Sequence, residues 1–138
     1  MDNIFYQNLL IIPSLAFVIT VLLKGIVYWI KTGKLDLTRS LWSGGMPSVH
    51  SAVVVSLTTA VALKHTVNSD LFAIAMAFTV IIIYDAINVR YESGLHATAI
   101  NESIGEKKFK ESLWHLPSEA FAWSIMGIIV AIALYYIG

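Results

Sequence analysis

The residue types that could do chemistry in this chain gather in two short polar segments, each directly before an apolar stretch. Residues 43–50 read Ser-Gly-Gly-Met-Pro-Ser-Val-His, and residues 115–119 read His-Leu-Pro-Ser-Glu. Glycines let backbone N–H groups approach an anion closely, and the N-terminus of a following helix adds partial positive charge. The pattern favours a phosphate-binding site that has two histidines available for reaction.

Two histidines can take different roles in phosphoryl transfer. One can attack phosphorus while the other protonates the leaving oxygen. His115 and Glu119 are four residues apart, so they share one face of a helical turn. Their spacing lets the carboxylate orient the imidazole and stabilise its cation. The residues predicted to act in catalysis are His50, His115 and Glu119.

The composition indicates that these residues work in a lipid bilayer. The hydrophobic fraction is 57% and the charged fraction only 13%, whereas a soluble domain carries roughly a quarter charged residues. We predict an all-α, single-domain integral membrane bundle of about four transmembrane helices, with a Gly-rich loop and a short amphipathic segment at the cytoplasmic face. The expected spans are residues 4–30, 48–63, 71–89 and 116–137.

The distribution of Lys and Arg predicts the orientation of these spans. Both termini lack such residues, the loop between the second and third spans has only Lys64, and the other two loops are richer in them. The positive-inside rule then places both termini outside and the first and third loops in the cytoplasm. We expect a cell membrane such as a bacterial plasma membrane. Within the polar loop after the third span, the run Lys-Lys-Phe-Lys-Glu at 107–111 is expected to be a solvated or interfacial helix.

This topology brings four helix ends to one membrane face. Lys24 lies near the end of the first span, Asp85 and Arg90 at the end of the third, and the two histidine segments at the starts of the second and fourth. Charges at hydrocarbon depth are costly, so such residues usually face the interior of a bundle and pair or act there. Asp85 is expected to pair with Lys24 or Arg90.

At these residues the chain resembles a known family. The stretch 44–52, Gly-Gly-Met-Pro-Ser-Val-His-Ser-Ala, is similar to the signature of the divergent branch of the type 2 phosphatidic acid phosphatase superfamily, which is related to acid phosphatases and vanadium-dependent haloperoxidases. Asp85-Ala86 with Val89-Arg90 and the segment 115–119 are further similarities, and together they cover nearly the whole chain.

The resemblance implies hydrolysis of a phosphomonoester or diphosphate on a membrane phospholipid or polyprenyl lipid, without metal or cofactor, through a phosphohistidine. His115 would be the nucleophile, Glu119 its orienting carboxylate and His50 the general acid. The residues implied to bind phosphate are Lys24, Arg39, Ser48 and Arg90. The residues implied to support them are Asp85, Gly44 and Gly45, with Lys34 and His96 ranked lower.

The resemblance leaves some alignments open. The family's Arg should stand six residues before the nucleophilic His, but Phe109 stands six residues before His115. Arg90 and His96 have that spacing, although Ile100 then occupies the position of the orienting carboxylate. Val49 stands where the family's Pro-Ser-Gly-His motif has glycine. The family's first motif, a Lys followed after six residues by Arg-Pro, is not intact. The chain also has fewer spans than the family's usual six.

Two other functions compete with hydrolysis. A non-catalytic phospholipid-binding or transport protein could retain the same anion pocket. A metal site is the weaker alternative, because no short spacing such as His-Glu-x-x-His supports it; its ligands would be Asp85, Glu92, His96, His115 and Glu119. The zero formal net charge predicts no nucleic-acid partner. Small residues in the second span could pack against a second protomer, so a homodimer is also an expectation.

Overall fold

A computed structural model of the protein describes residues 3–33, 48–111 and 117–138. Every regular element in these ranges is a helix. The helices are α1 (Ile4–Gln7), α2 (Ile11–Thr32), α3 (Val49–His65), α4 (Asp70–Tyr84), a π-helical turn (Asp85–Val89), α5 (Arg90–Ile104) and α6 (Pro117–Ile137).

Three helical segments in these ranges are long and apolar enough to cross a membrane: Ile11–Ile30, Asp70–Ile104 and Ser118–Ile137. The helix α3 is apolar but shorter. The predicted all-α membrane bundle is therefore confirmed. Within the predicted first span, residues 4–30, the structure has two helices, because the Asn8 side chain accepts a hydrogen bond from the Leu10 N–H at 3.0 Å and so replaces a helical bond.

The shortest of these apolar helices, α3, is central and contacts α2, α4 and α6. Its buried side chains are nearly all small, and those small residues are Ser51, Ala52, Ser56, Thr58 and Ala60. In a membrane the hydrophobic effect does not drive helices together, so small residues that let backbones approach closely take its place. The helix of the second predicted span, α3, is therefore the central helix against which the other three pack.

The helices α3 and α6 approach each other closely at Gly127. A Cβ atom added to Gly127 would lie 2.5 Å from the Ala52 carbonyl oxygen and 3.0 Å from the Ser56 nitrogen. Farther along both helices, Ala60 and Ala131 are fully buried in the same apolar cluster. These two pairs of contacts show that α3 and α6 run side by side in the same direction.

Hydroxyl groups join α3 to α4. Thr58 Oγ1 lies 2.7 Å from Thr79 Oγ1 and donates to the Ala75 carbonyl oxygen at 3.1 Å, while Thr79 Oγ1 donates to the Val54 carbonyl oxygen at 3.3 Å. Thr79 is the buried residue of α4, and the rest of that helix is more exposed. Polar contacts thus hold a peripheral helix that buries little apolar surface.

The N-terminal segment identifies which helix ends lie together. Asn3 Nδ2 donates to the carbonyl oxygens of Leu134 and Tyr135, each at 3.0 Å. The Tyr6 hydroxyl donates to the Ala131 carbonyl oxygen at 2.8 Å, and the Lys64 ammonium donates to the Tyr6 carbonyl oxygen at 2.6 Å. The ends of α3 and α6 therefore lie beside the start of the chain. Their beginnings lie at the opposite end of the bundle, where α2 ends.

The third predicted span, 71–89, is part of a longer helix. It continues without interruption from Asp70 through the π-helical turn to Ile104. Gly105 ends it with a left-handed backbone conformation at φ +70°. The run at 107–111 is not helical, so the expectation of a solvated or interfacial helix there was wrong. Asn101 Oδ1 accepts hydrogen bonds from the Lys108 and Phe109 N–H groups and Asn101 Nδ2 donates to Glu111, and these bonds hold the segment in a non-helical course.

Candidate functional site

The candidate site lies at the end of the bundle where α2 ends, α3 and α6 begin, and the π-helical turn connects α4 to α5. Lys24 brings a charge into this region from α2. Its side chain is only 7% exposed although it lies within a membrane-spanning helix. A buried ammonium group at such a depth is costly unless it pairs with or serves a negatively charged group.

Ser48 and His50 occupy the start of α3. Ser48 is the N-cap, since its Oγ accepts a hydrogen bond from the Ser51 N–H at 3.4 Å and lies 3.0 Å from Ser51 Oγ. Ser48 is fully buried, whereas His50 is exposed on the first turn. The Ser48 hydroxyl therefore fixes the helix start, and the imidazole of His50 is the accessible group.

Asp85 and Arg90 form an ion pair across the π-helical turn. Arg90 Nε donates to Asp85 Oδ2 at 2.7 Å, and the side chains are 29% and 38% exposed for Arg90 and Asp85 respectively. The Arg90 N–H also donates to the Asp85 carbonyl oxygen, which is the hydrogen bond that defines the turn. Of the two partners expected for Asp85, Arg90 is the one that pairs with it in the structure.

These groups influence one another electrostatically. Arg90, Asp85 and Lys24 lie close enough to His50 for their charges to act on its imidazole. Lys24, His50, Asp85 and Arg90 thus form one charged cluster at this end of the bundle, although three separate membrane helices supply them.

The start of α6 lies next to this cluster. Glu119 is half-buried in the first turn of α6, and α6 contacts the π-helical turn. The predicted nucleophile His115 lies just before this turn and outside the described residues. Four further predicted site residues also lie outside them, namely Lys34, Arg39, Gly44 and Gly45.

The structure places His96 apart from the paired groups. His96 and Glu92 are both exposed on α5, which continues beyond the π-helical turn. Within the described ranges, His, Asp and Glu side chains form no group of three or more that could hold a metal ion. The geometry of these residues therefore gives the metal-site alternative no support.

Two residues after the π-helical turn were not among the predicted site residues. They are Asn101 and Lys110, of which the second stands in the charged run 107–111. Trp123, on α6, was also not among the predicted site residues. In the structure its indole nitrogen is buried and has no hydrogen-bond partner among the described residues. The only signal for Asn101 in the sequence is a polar residue in a helix that contains both polar and apolar residues. Its position does not indicate which groups its side chain bonds.

Comparisons with known proteins agree with this architecture. The model of the Divergent PAP2 family matches residues 5–130. An uncharacterized membrane protein of Bacillus subtilis (strain 168), YuiD, is 36% identical over 150 aligned positions, which cover 94% of this chain and 95% of that protein. No solved structure gives a significant match. The resemblance carried by residues 44–52 and 115–119 is thus confirmed over nearly the full length, and the chain belongs to the Divergent PAP2 family of membrane proteins.

Proposed function

We propose that this protein is a lipid-phosphate phosphatase that hydrolyses a phosphomonoester or diphosphate of a phospholipid or polyprenyl lipid through a phosphohistidine. One observation carries the proposal. Lys24, His50 and the Asp85–Arg90 pair come from separate helices and meet at one end of the bundle. Cations around an accessible imidazole suit a phosphate ester, because phosphoryl transfer depends mainly on positioning and charge stabilisation.

Arg90 is the residue whose geometry best fits phosphate. Its Nε is bonded to Asp85, which fixes the plane of the guanidinium and leaves the two terminal nitrogens for another acceptor. A guanidinium donates two parallel hydrogen bonds to two phosphate oxygens, which a lysine cannot do. Lys24 would add charge from α2, and Arg39 would complete the set.

The proposed reaction has two displacements. A ring nitrogen of His115 attacks phosphorus, the bond from phosphorus to the lipid oxygen breaks, and His50 protonates that oxygen as the lipid alcohol leaves. Water then attacks the phosphohistidine, His50 takes its proton, and inorganic phosphate leaves as the N–P bond breaks. Glu119, one turn after His115 in sequence, would orient the imidazole and stabilise its cation.

The position of the substrate follows from the same proposal. A lipid phosphate lies at the membrane interface, where its headgroup can meet a site built from helix ends. The Lys and Arg distribution favours the cytoplasmic face for this end of the bundle, with both termini outside. No cofactor or metal takes part in the chemistry proposed.

One observation favours non-catalytic lipid binding as a second candidate. Ser48, which the family resemblance assigns to phosphate, is fully buried and engaged with Ser51 in the helix cap. The site would then lack one donor that the reaction uses. A protein of this kind would bind phospholipid through Lys24 and Arg90 without turning it over.

Phosphate release by the full-length protein in detergent tests the proposal. With EDTA present, we expect release from phosphatidic acid or a polyprenyl phosphate, and we expect His115→Ala to abolish it. His50→Ala should slow it by about 10²–10⁴-fold, the usual contribution of general acid–base catalysis. His65→Ala, at the opposite end of α3, is the matched control and should retain full activity.

Three results would redirect the assignment. Lipid binding without phosphate release favours the non-catalytic candidate. Release that requires an added divalent metal contradicts the metal-independent reaction. Full activity in His115→Ala, together with loss in His96→Ala, moves the nucleophile to the competing alignment.

A further inference from the structure

One buried donor near the start of α6 lacks an acceptor among the described residues. It is the indole nitrogen of Trp123. An indole N–H can only donate, so an oxygen or another acceptor has to come to it. Leaving such a donor enclosed costs free energy, and an unpaired buried group calls for an explanation such as a functional role. The residue as a whole is only partly buried, so its ring lies at the surface of the bundle with the N–H edge enclosed.

The position of Trp123 is set by its neighbours along one side of α6. Residues four apart share a side of a helix, and Trp123 stands four residues after Glu119 and four before Gly127. Gly127 packs against α3, since a Cβ atom added to it would lie 2.5 Å from the Ala52 carbonyl oxygen. Because α3 and α6 run in the same direction, Trp123 lies one turn earlier along both helices. This is the level of the first turn of α3, which carries His50.

Trp123 lies deeper in the membrane than the groups proposed to bind phosphate. Thr58 stands nine residues after the start of α3, and Thr79, whose hydroxyl lies 2.7 Å from that of Thr58, stands eleven residues before Arg90. These helices run in opposite directions, so Arg90 lies about two residues, or about 3 Å, beyond the start of α3. Glu119 lies one turn, about 6 Å, beyond Trp123 in the same direction. The indole N–H is therefore on the bilayer side of the phosphate-binding level.

This depth indicates which acceptor the N–H would meet. The chains of a bound lipid run from its phosphate toward the bilayer centre. In a diacylglycerol phosphate, the acceptor oxygens on that side of the phosphate belong to the acyl esters. A polyprenyl phosphate has only hydrocarbon there. A donor placed below the phosphate thus distinguishes the two lipid classes that the proposed function leaves open.

We propose that Trp123 is a specificity-determining residue whose indole N–H donates to an acyl ester carbonyl oxygen of a glycerophospholipid phosphate bound at the candidate site. The inference rests on the proposed function in taking a lipid phosphate as the ligand, and it narrows that class to ester-linked glycerolipids. Because the nitrogen is enclosed, the glycerol end of the lipid reaches it by entering beside the ring, which lies at the bundle surface.

The test measures the dissociation constants of three lipids for the full-length protein in detergent. They are dioleoyl phosphatidic acid, its ether-linked analogue without carbonyl oxygens, and a polyprenyl phosphate. The wild type should bind the ester lipid about tenfold more tightly than the ether lipid, as expected for satisfying one buried donor. Trp123→Phe keeps an aromatic ring and removes the N–H. It should weaken binding of the ester lipid about tenfold and shift the other two constants by less than about twofold.

Trp29→Phe is the matched control. Trp29 is 52% exposed on α2, so the same substitution there should leave all three constants within about twofold of the wild-type values. The indole N–H resonance in proton NMR spectra gives a second readout. The Trp123 signal, identified by its loss in Trp123→Phe, should move downfield much further with the ester lipid than with the ether lipid. Circular dichroism and the thermal midpoint monitor folding of both variants.

The outcomes distinguish this inference from the proposed hydrolysis. A preference for the ester lipid that depends on Trp123, without release of phosphate, supports the inference and contradicts the catalytic proposal. Lipid hydrolysis together with equal wild-type affinity for the ester and ether lipids overturns the inference alone. Equal weakening of both lipids by Trp123→Phe also overturns it, because the ring would then act only in packing. Tighter binding of the polyprenyl phosphate than of the ester lipid overturns it as well, and so do equal losses in Trp29→Phe and Trp123→Phe.

Discussion

Arg90 Nε lies 2.7 Å from Asp85 Oδ2, and the two residues are five positions apart in one continuous helix. In a regular α-helix, residues five apart point about 140° away from each other at about 100° per residue. The π-helical turn at Asp85–Val89 accommodates one additional residue, so Arg90 stacks over Asp85 as a residue four positions later normally would. The π-helical turn therefore brings the two charged groups to the same side of the helix, within ion-pair distance.

Arg90→Lys should lower kcat/KM for the lipid phosphate by about 10- to 100-fold, equivalent to about 1.5–3 kcal/mol. Lysine keeps the charge, but it cannot bond Asp85 through one nitrogen and a phosphate through two others. The measurement is phosphate release at varied substrate concentration, with inorganic phosphate binding as a second readout. Wild-type affinity in Arg90→Lys would show that only the charge at this position matters.

Asp85→Asn should weaken phosphate binding less than Arg90→Lys does. The asparagine oxygen still accepts a hydrogen bond from Arg90 Nε, but the uncharged amide holds the guanidinium less firmly. Asn88→Asp, in the same turn and exposed, adds a carboxylate without removing the pair and is the control for local charge. A larger loss in Asp85→Asn than in Arg90→Lys would mean that Asp85 contacts the substrate itself.

Gly127→Ala should reduce the free energy of unfolding by about 1–3 kcal/mol, the usual cost of overpacking a tightly packed interior. The new Cβ would lie 2.5 Å from the Ala52 carbonyl oxygen, so α3 and α6 must separate to admit it. Unfolding in detergent, followed by circular dichroism, measures the change. Ala122→Val adds bulk at an exposed position of α6 and is expected to have little effect.

If Gly127→Ala also loses phosphate binding at temperatures where the variant is folded, the packing at Gly127 affects the candidate site as well as stability. The separation of α3 from α6 would displace His50 relative to Glu119, since both stand on the first turns of these helices. A variant that is destabilised but binds normally would confine the role of Gly127 to packing.

Hydropathy and charge predicted the helical membrane bundle, and they predicted the meeting of Lys24, His50, Asp85 and Arg90 at one end. These features follow from where polar residues stand relative to apolar stretches, which a sequence displays directly. The π-helical turn could not be predicted in this way, because one additional residue in a helix leaves the hydropathy of the span unchanged. The course of the chain after α5 depends on hydrogen bonds that Asn101 Oδ1 accepts from the backbone N–H groups seven and eight positions later, which no periodicity reveals. The helical expectation for 107–111 failed for the same reason.

Thr79→Val should reduce the free energy of unfolding by about 0.5–2 kcal/mol, in the range found for interhelical hydrogen bonds in membranes. Valine preserves the shape of threonine but removes the hydroxyl that lies 2.7 Å from Thr58 Oγ1 and donates to the Val54 carbonyl oxygen. Thr59→Val is the control, because among the described residues the Thr59 hydroxyl bonds within its own helix, to the Val55 carbonyl oxygen. Equal effects of the two substitutions would contradict a role for these hydroxyls in joining α3 to α4.

The orientation in the membrane can be tested because the chain has no cysteine. Single cysteines introduced as Asn68→Cys, between α3 and α4, and Glu106→Cys, after α5, lie at exposed positions at the two ends of the helix Asp70–Ile104. A membrane-impermeant maleimide added to intact cells should label Asn68→Cys and not Glu106→Cys, whereas inverted vesicles should give the reverse. The reason is the excess of Lys and Arg in the loops on the Glu106 side, which favours the cytoplasm. The unmodified protein is the unlabelled control. Labelling of Glu106→Cys in intact cells would place the charged cluster, and with it the proposed phosphatase site, on the outer face.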